Sequence, residues 1–175
     1  MSVERLRDAL LDPSTYPHAP DRVELIQTHI SLVAIVPPRV YKIKKPVDLG
    51  FLDFTTLERR KHYCEREVAL NRRLCAGVYE AVVPVVDTAT GLRVDPSEAE
   101  WAEQSNGESP ADWAVRMRYM DPSMFVDRQL REGRLPDDAV DRVTDTLCTF
   151  YREQSSTPEI AAEGWIDRID RKSVV

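Results

Sequence analysis

The sequence predicts an α+β fold, in which a five-stranded antiparallel sheet carries one packed helix and leads into a helical part. Two observations support this class. Three short β-rich segments near the N-terminus are joined by links of only a few residues, which are too short for crossover helices and so indicate an antiparallel meander. A long helical pattern and two further β-rich segments then precede the last helical patterns, and such segregation of strands from helices is typical of α+β proteins.

The first elements follow from local pattern. Residues 2–11 carry apolar side chains at helical spacing and predict a short amphipathic helix, which Pro13 ends. The three β-rich segments are residues 22–26, 31–36 and 39–45, with Pro37 and Pro38 in the turn between the last two. Residue types of high β propensity dominate each of them, so each is a predicted strand.

The long helix has a clear predicted start. Thr55, followed three residues later by Glu58, matches a capping box and predicts a helix from there to about Leu74. The remaining two predicted strands are residues 81–86 and 113–120. Between them, residues 87–112 are acidic and interrupted by glycine and proline, so we expect a mobile hairpin extension there.

Helical patterns complete the chain. Ser123 is the predicted cap of a short helix that ends near Glu132, and Pro136 is the predicted start of a longer helix that ends near Gln154. The longer helix has an apolar face formed by Val140, Val143, Leu147 and Phe150. We therefore expect three parts: an N-terminal helix and connector (1–21), the sheet with its packed helix (22–120), and a helical part (121–175).

Composition narrows the class of protein. Apolar residues make up 42% of the chain and charged residues 31%, which is typical of a soluble globular protein. No apolar run reaches the length of about 18 residues that a membrane span needs, and the N-terminus lacks the apolar core of a secretory signal, so we expect a cytoplasmic protein. The three cysteines, Cys64, Cys75 and Cys148, form no C-x-x-C pair, and we expect buried thiols rather than a metal site.

Charge is distributed unevenly along the chain. The formal net charge is −6, but residues 39–73 hold ten Lys or Arg against five Asp or Glu. This basic segment indicates either a local anionic ligand or two solvated helix faces, and the charge count alone favours the solvated faces. Nucleic acid is not favoured as a partner, because the whole chain is acidic and aromatic residues are not interleaved with the basic ones.

Glu67 is the candidate functional residue of the long helix. Its neighbours at helical spacing are mostly apolar: Tyr63, Cys64, Leu70 and Leu74, with Asn71 beside them. Glu67 is therefore predicted to point toward the sheet, where a buried carboxylate needs a cation. Alternation in the third strand places Lys42 and Lys44 on one face and Lys45 on the other. A half-exposed Glu67 that pairs with an arginine such as Arg60 fits the spacing equally well.

Several blocks of this sequence resemble known proteins. Residues 40–45, 67–74 and 115–120 resemble the third-strand lysine, helix-C glutamate and hinge segments of protein-kinase-like folds. More closely, residues 28–31, 41–47, 51–54, 57–60 and 70–74 resemble bacterial aminoglycoside-phosphotransferase-like proteins, in many of which a kinase-like domain precedes a P-loop ATPase domain. The resemblance covers roughly residues 23–154. It implies a kinase-like N-lobe followed by the first helices of an incomplete C-lobe.

The resemblance also implies an ATP site. Lys44 would hold the α- and β-phosphates, with Glu67 orienting it. Met117 would be the gatekeeper, and the Arg118 carbonyl and Met120 amide would receive the adenine edge. The loop over the phosphates would be formed by Thr28, His29 and Ser31, and it lacks the glycines of protein kinases. A lone histidine such as His29 is more often a structural or turn residue than a ligand.

The sequence contains no His-Gly-Asp or His-Arg-Asp motif, no later Asp-Phe-Gly-like motif and no P-loop motif. We therefore expect a truncated protein that is inactive alone, and no residue is predicted to be catalytic or to bind metal. The full-length protein is expected to use Mg²⁺ and ATP to phosphorylate a hydroxyl of an unidentified small molecule. The alternative is a non-catalytic, kinase-like binding or regulatory module.

Overall fold

The computed structural model describes residues 2–104 and 109–155. The chain divides into two compact units, Met1–Phe125 and Val126–Val175. Residues 105–108 of the predicted hairpin extension and residues 156–175 of the predicted helical part lie outside the described residues. The three-part division proposed from the sequence stays a prediction.

The first unit contains a six-stranded antiparallel sheet, so the α+β class is confirmed and the count of five strands is wrong. The strands are β1 (Glu24–Gln27), β2 (Ser31–Val36), β3 (Arg39–Lys44), β4 (Tyr79–Thr88), β5 (Gly91–Val94) and β6 (Asp112–Arg118). Their order in the sheet is β1-β2-β3-β6-β4-β5. The additional strand is β5, which lies within the predicted hairpin extension and buries Leu92 and Val94. Its apolar residues alternate as a half-buried strand requires.

Five helices are described: α1 (Val3–Leu10), α2 (Leu57–Cys75), α3 (Glu98–Gln104), α4 (Val126–Arg131) and α5 (Ala139–Arg152). Helix α2 is capped by Thr56, whose hydroxyl accepts a hydrogen bond from the Arg59 amide. The prediction of Thr55 as the cap is wrong by one residue, because the Thr55 hydroxyl and amide both bond to the Asp53 carboxylate. None of the helices in the described ranges is long and apolar enough to cross a membrane.

The two faces of the sheet pack differently. One face packs against α1 and the 3-10 turn Pro13–Thr15, where it forms the larger core with Leu6, Leu10, Tyr16, Tyr41 and Ile43 among its members. The Tyr16 and Tyr41 rings stack with their centroids 5.6 Å apart. The other face packs against α2 through a small cluster of Cys64, Val68 and Val115. Strand β3 therefore sends Tyr41 and Ile43 into one core and its lysines to the side of α2.

The cysteines differ from one another in exposure. Cys64 is buried on the face of α2 that packs against the sheet, whereas Cys75 and Cys148 are exposed. The prediction of three buried thiols is therefore wrong for two of them. Cys75 occupies the last turn of α2, where the helix no longer packs closely on the sheet. Burial raises the pKa of the Cys64 thiol to about 12, which keeps it protonated and unreactive at neutral pH.

This difference predicts the thiol reactivity of the native protein. At about pH 8, two thiols should react rapidly with a chromogenic disulfide reagent, and the third should react only after denaturation, because Cys64 is buried and its thiolate is disfavoured. A protein in which Cys75 and Cys148 are both replaced by serine should show no rapid reaction. Rapid labelling of that variant in its native state would contradict the packing of α2 on the sheet.

Candidate functional site

A shared carboxylate joins helix α2 to strand β3. Glu67 Oε1 accepts a hydrogen bond from Lys42 Nζ at 2.7 Å, and Glu67 Oε2 accepts one from Lys44 Nζ at 2.6 Å. The side chains are 14% exposed for Glu67, 5% for Lys44 and 29% for Lys42. The prediction of an inward-pointing Glu67 is therefore confirmed. The alternative pairing with Arg60 is wrong. Strand alternation placed Lys42 and Lys44 on the same face, and both lysines bind Glu67.

The orientation of Glu67 follows from its neighbours on α2. The buried side chains of the helix are Arg60, Cys64 and Val68, which form a stripe at intervals of four residues. Glu67 lies beside Val68 at the edge of this stripe and so reaches the sheet. Leu70 and Leu74 are 50% and 45% exposed, which corrects the expectation that they share the buried face.

The site keeps its charges when it is partly buried. Burial alone would raise the pKa of Glu67, but hydrogen bonds and positive charge from Lys42 and Lys44 outweigh burial and lower that pKa. Two lysines and one carboxylate therefore carry a net charge of about +1. The Lys44 ammonium also lies 5.0 Å from the centroid of the Phe54 ring, a distance at which cation–π attraction contributes.

A second ion pair, which the sequence analysis missed, holds the segment before α2. Arg60 Nε lies 2.9 Å and 3.1 Å from the two carboxylate oxygens of Asp112, and both side chains are buried. Arg60 Nη1 also donates to the Phe54 and Thr55 carbonyls at 3.0 Å and 3.2 Å. Burial raises the pKa of Asp112, although Arg60 acts in the opposite direction. The one available signal was that Arg60 precedes Cys64 by one helical turn.

The three residues predicted to cover phosphates lie in the turn between β1 and β2 and at the first position of β2. The Thr28 hydroxyl accepts from the Ser31 amide at 2.9 Å, and the Thr28 amide donates to the Ser31 carbonyl at 2.9 Å. Ser31 pairs with Lys44 across β2 and β3 and so shares its face of the sheet. The Ser31 hydroxyl is enclosed and has no hydrogen-bond partner among the described residues. His29 is exposed.

The three predicted hinge residues lie at the end of β6. Met117 is partly buried against the cluster under α2 and pairs with Val40 of β3. The Arg118 amide donates to the Val78 carbonyl at 2.9 Å, whereas the Val78 amide donates to Cys75. The Arg118 carbonyl points to the same side as the Arg118 amide, toward Val78. It does not pair with the Val78 amide, because that amide donates to the Cys75 carbonyl. Met120 follows the strand and is 42% exposed.

Metal ligands are not clustered in the described part of the chain. Across residues 2–104 and 109–155, no group of three or more His, Cys, Asp or Glu side chains is arranged to hold a metal ion. The site is thus defined by its lysines, its carboxylate and its backbone groups.

Comparison with known proteins gives distant relatives. No protein-family model matches the sequence. The chain is 26% identical over 150 residues to the uncharacterized proteins Rv2004c and MT2060 of two Mycobacterium tuberculosis strains and Mb2027c of Mycobacterium bovis. The match covers 86% of this chain and 26% of each relative. The chain therefore spans about a quarter of the length of the curated relatives it matches. No solved structure matches it.

The lowered pKa of Glu67 predicts a pH dependence of stability. A carboxylate whose folded pKa lies below its usual value of 4.5 contributes stability that is present above that pH and is lost as the pH falls. Glu67→Gln should lower the free energy of unfolding by about 3 kcal/mol at neutral pH, because two partly buried lysines lose their counter-ion. Urea unfolding at pH 7 and at about pH 3.5 measures the difference.

The matched control is Glu65→Gln, which changes an exposed carboxylate on the same helix. Its effect should be small at both pH values, whereas the effect of Glu67→Gln should shrink in acid. An equal loss for Glu67→Gln at both pH values would show that its ionised form does not stabilise the fold.

Proposed function

We propose that this chain is the ATP-binding lobe of a cytoplasmic small-molecule phosphotransferase of the aminoglycoside-phosphotransferase-like type, with the architecture of a kinase-like N-lobe. The observation that carries the proposal is the ion pair of Lys44 with Glu67, at 2.6 Å. A strand lysine held by a helix glutamate is the arrangement with which protein kinases position nucleotide phosphates. Here the pair joins β3 to the helix that follows it, as the resemblance implies.

The order of the strands supports the same proposal. Without the edge strand β5, the sheet has the order β1-β2-β3-β6-β4, and α2 connects β3 to β4. These are the five strands and one packed helix that the resemblance implies. Strand β5 pairs only with β4 among the described strands and lies at the opposite edge from the turn between β1 and β2. An addition at that edge leaves the proposed site unchanged.

An apolar strip beside the lysines supports binding of the adenine ring. Val33 and Ile35 of β2 and Val40 of β3 are partly exposed and share the face of Lys42, because alternate residues point to the same side. Helix α2 packs mainly against β4 and β6, so this strip lies beside the helix. A flat heteroaromatic ring on the strip would have the end of β6 on one side and the lysines on the other.

Phosphoryl transfer is proposed for a longer protein that combines this lobe with a catalytic loop. Such a protein would bind Mg²⁺ with ATP and pass the γ-phosphoryl group to a hydroxyl of a small molecule. No residue of this chain is assigned to the transfer step. Nucleic acid is not the proposed ligand, because the chain carries a formal net charge of −6 and the basic side chains of Arg59, Arg60 and Arg72 are engaged within the chain.

The second candidate function is a non-catalytic nucleotide-binding or regulatory module. The observation that favours it is the turn between β1 and β2, where the Thr28 and Ser31 amides are already bonded within the turn. A glycine-rich loop uses such amides to hold phosphates. A turn that cannot offer them would position the γ-phosphoryl group less closely, which suits binding better than turnover.

Binding of Mg-ATP tests the proposed site. Isothermal titration of the 175-residue chain should give measurable affinity, and Lys44→Ala should reduce it at least tenfold, because the pair with Glu67 that positions the lysines and α2 is lost. The control is Lys61→Gln, because the Lys61 ammonium lies 4.6 Å from the centroid of the Trp113 ring and outside the proposed site. This variant should bind Mg-ATP as tightly as the unchanged chain does. No detectable binding of Mg-ATP to the unchanged chain would refute the ATP-site assignment, and retained affinity in a folded Lys44→Ala protein would refute the role of the Lys44–Glu67 pair in that site.

Turnover distinguishes the two candidate functions. The product of the full-length gene should release ADP from Mg-ATP in the presence of a mixture of hydroxyl-bearing small molecules, and Lys44→Ala should abolish the release. A regulatory module should bind Mg-ATP without releasing ADP under any acceptor condition. Binding of Mg-ATP is measured on the same preparation, so that an absence of ADP release can be assigned to a lack of turnover and not to an unfolded protein.

A further inference from the structure

The site that Glu67 forms with Lys42 and Lys44 has one positive charge in excess. One carboxylate neutralises one of the two ammonium groups, and Glu67 divides its two oxygens between them at 2.7 Å and 2.6 Å. Among the described residues these two lysines form no other ion pair. An unbalanced charge in a partly buried position is costly unless a counter-ion reaches it. The site is therefore suited to bind an anion.

The two lysines differ in their access to such an anion. Lys44 is 5% exposed and is enclosed between Glu67 Oε2 and the Phe54 ring. Lys42 is 29% exposed, and within residues 2–104 and 109–155 its ammonium has Glu67 Oε1 as its one hydrogen-bond acceptor. An ammonium has three N–H donors, so Lys42 retains donors on the side that solvent reaches.

The other polar groups expected near the phosphates are less available. The Thr28 hydroxyl already accepts from the Ser31 amide and donates to the Ser31 carbonyl. The Ser31 hydroxyl, on the same face as Lys44, is enclosed and reached by no solvent. Of the lysines and hydroxyls that share this face near the turn, Lys42 is the one whose charged group is open to a ligand.

We propose that Lys42, rather than Lys44, is the residue that contacts the phosphates of the bound nucleotide. Lys44 stays on Glu67 and keeps α2 tied to β3 while the ligand is bound. This inference rests on the proposed function for the identity of the nucleotide, and it departs from the resemblance, which assigns the phosphates to Lys44. The contact of Lys42 with a polyphosphate requires no adenine and is testable without it.

The experiment compares three probes on the 175-residue chain: Mg-ATP, adenosine and inorganic tripolyphosphate. Lys42→Gln should weaken binding of Mg-ATP and of tripolyphosphate at least tenfold and leave adenosine binding within twofold. Lys42→Arg, which keeps the charge, should recover most of the lost affinity. Lys61→Gln should match the unchanged chain for all three probes. Thermal unfolding should show that Lys42→Gln remains folded, since Glu67 keeps Lys44 as its partner.

The outcomes separate the inference from the proposed function. If the unchanged chain binds Mg-ATP and Lys42→Gln binds it within threefold, the role of Lys42 is refuted and the ATP site stands. If the chain binds tripolyphosphate but neither ATP nor adenosine, and Lys42→Gln loses that binding, the phosphate contact stands and the nucleotide function fails. If none of the three probes binds, both are refuted.

Discussion

The carboxylate of Glu67, shared by Lys42 and Lys44, is the interaction on which the position of α2 depends. The apolar contact between α2 and the sheet is small, with Cys64, Val68 and Val115 as its buried members. A small apolar patch stabilises contact but specifies orientation weakly. The Arg60–Asp112 pair is the second polar tie, and it lies about two helical turns before Glu67. Arg72 adds a third polar tie by donating from Nε to the Tyr79 carbonyl of β4 at 2.8 Å. Ties at three separate points along α2 fix both the translation of the helix and its rotation about its axis.

The same ties also shape the candidate site. Arg60 holds the Phe54 and Thr55 carbonyls, and thereby the segment that places the Phe54 ring near the Lys44 ammonium. A path of direct contacts therefore leads from Asp112, at the start of β6, to the lysines of β3. Disturbing the buried pair should alter the environment of Lys44 even though neither member touches it. Stability and site geometry are in this way properties of one network.

Residue patterns within single segments predicted the strand bounds and strand faces that depend on neighbouring residues alone. Strand β2 has the predicted bounds, β3 differs by one residue, and alternation assigned Lys42 and Lys44 to one face. Strand β5 was missed because its four residues become a strand only by pairing with β4. The choice of Thr56 over Thr55 as helix cap depends on Asp53 binding Thr55. Arg60 and Asp112 are 52 residues apart, so no spacing rule connects them.

The second lysine changes what a lysine–glutamate pair can do. With one lysine, a phosphate must compete with the carboxylate for the same ammonium, and every gain at the ligand weakens the tie between helix and sheet. With two, Lys44 can stay on Glu67 while Lys42 turns part of its ammonium toward the ligand. Glu67 keeps Lys44 as a cationic partner throughout, and a nearby cation favours the ionised form of the carboxylate even when an anion binds. In the proposed site, ligand binding and the positioning of α2 are thus assigned to different side chains, which allows the helix to remain in place whether the site is filled or empty.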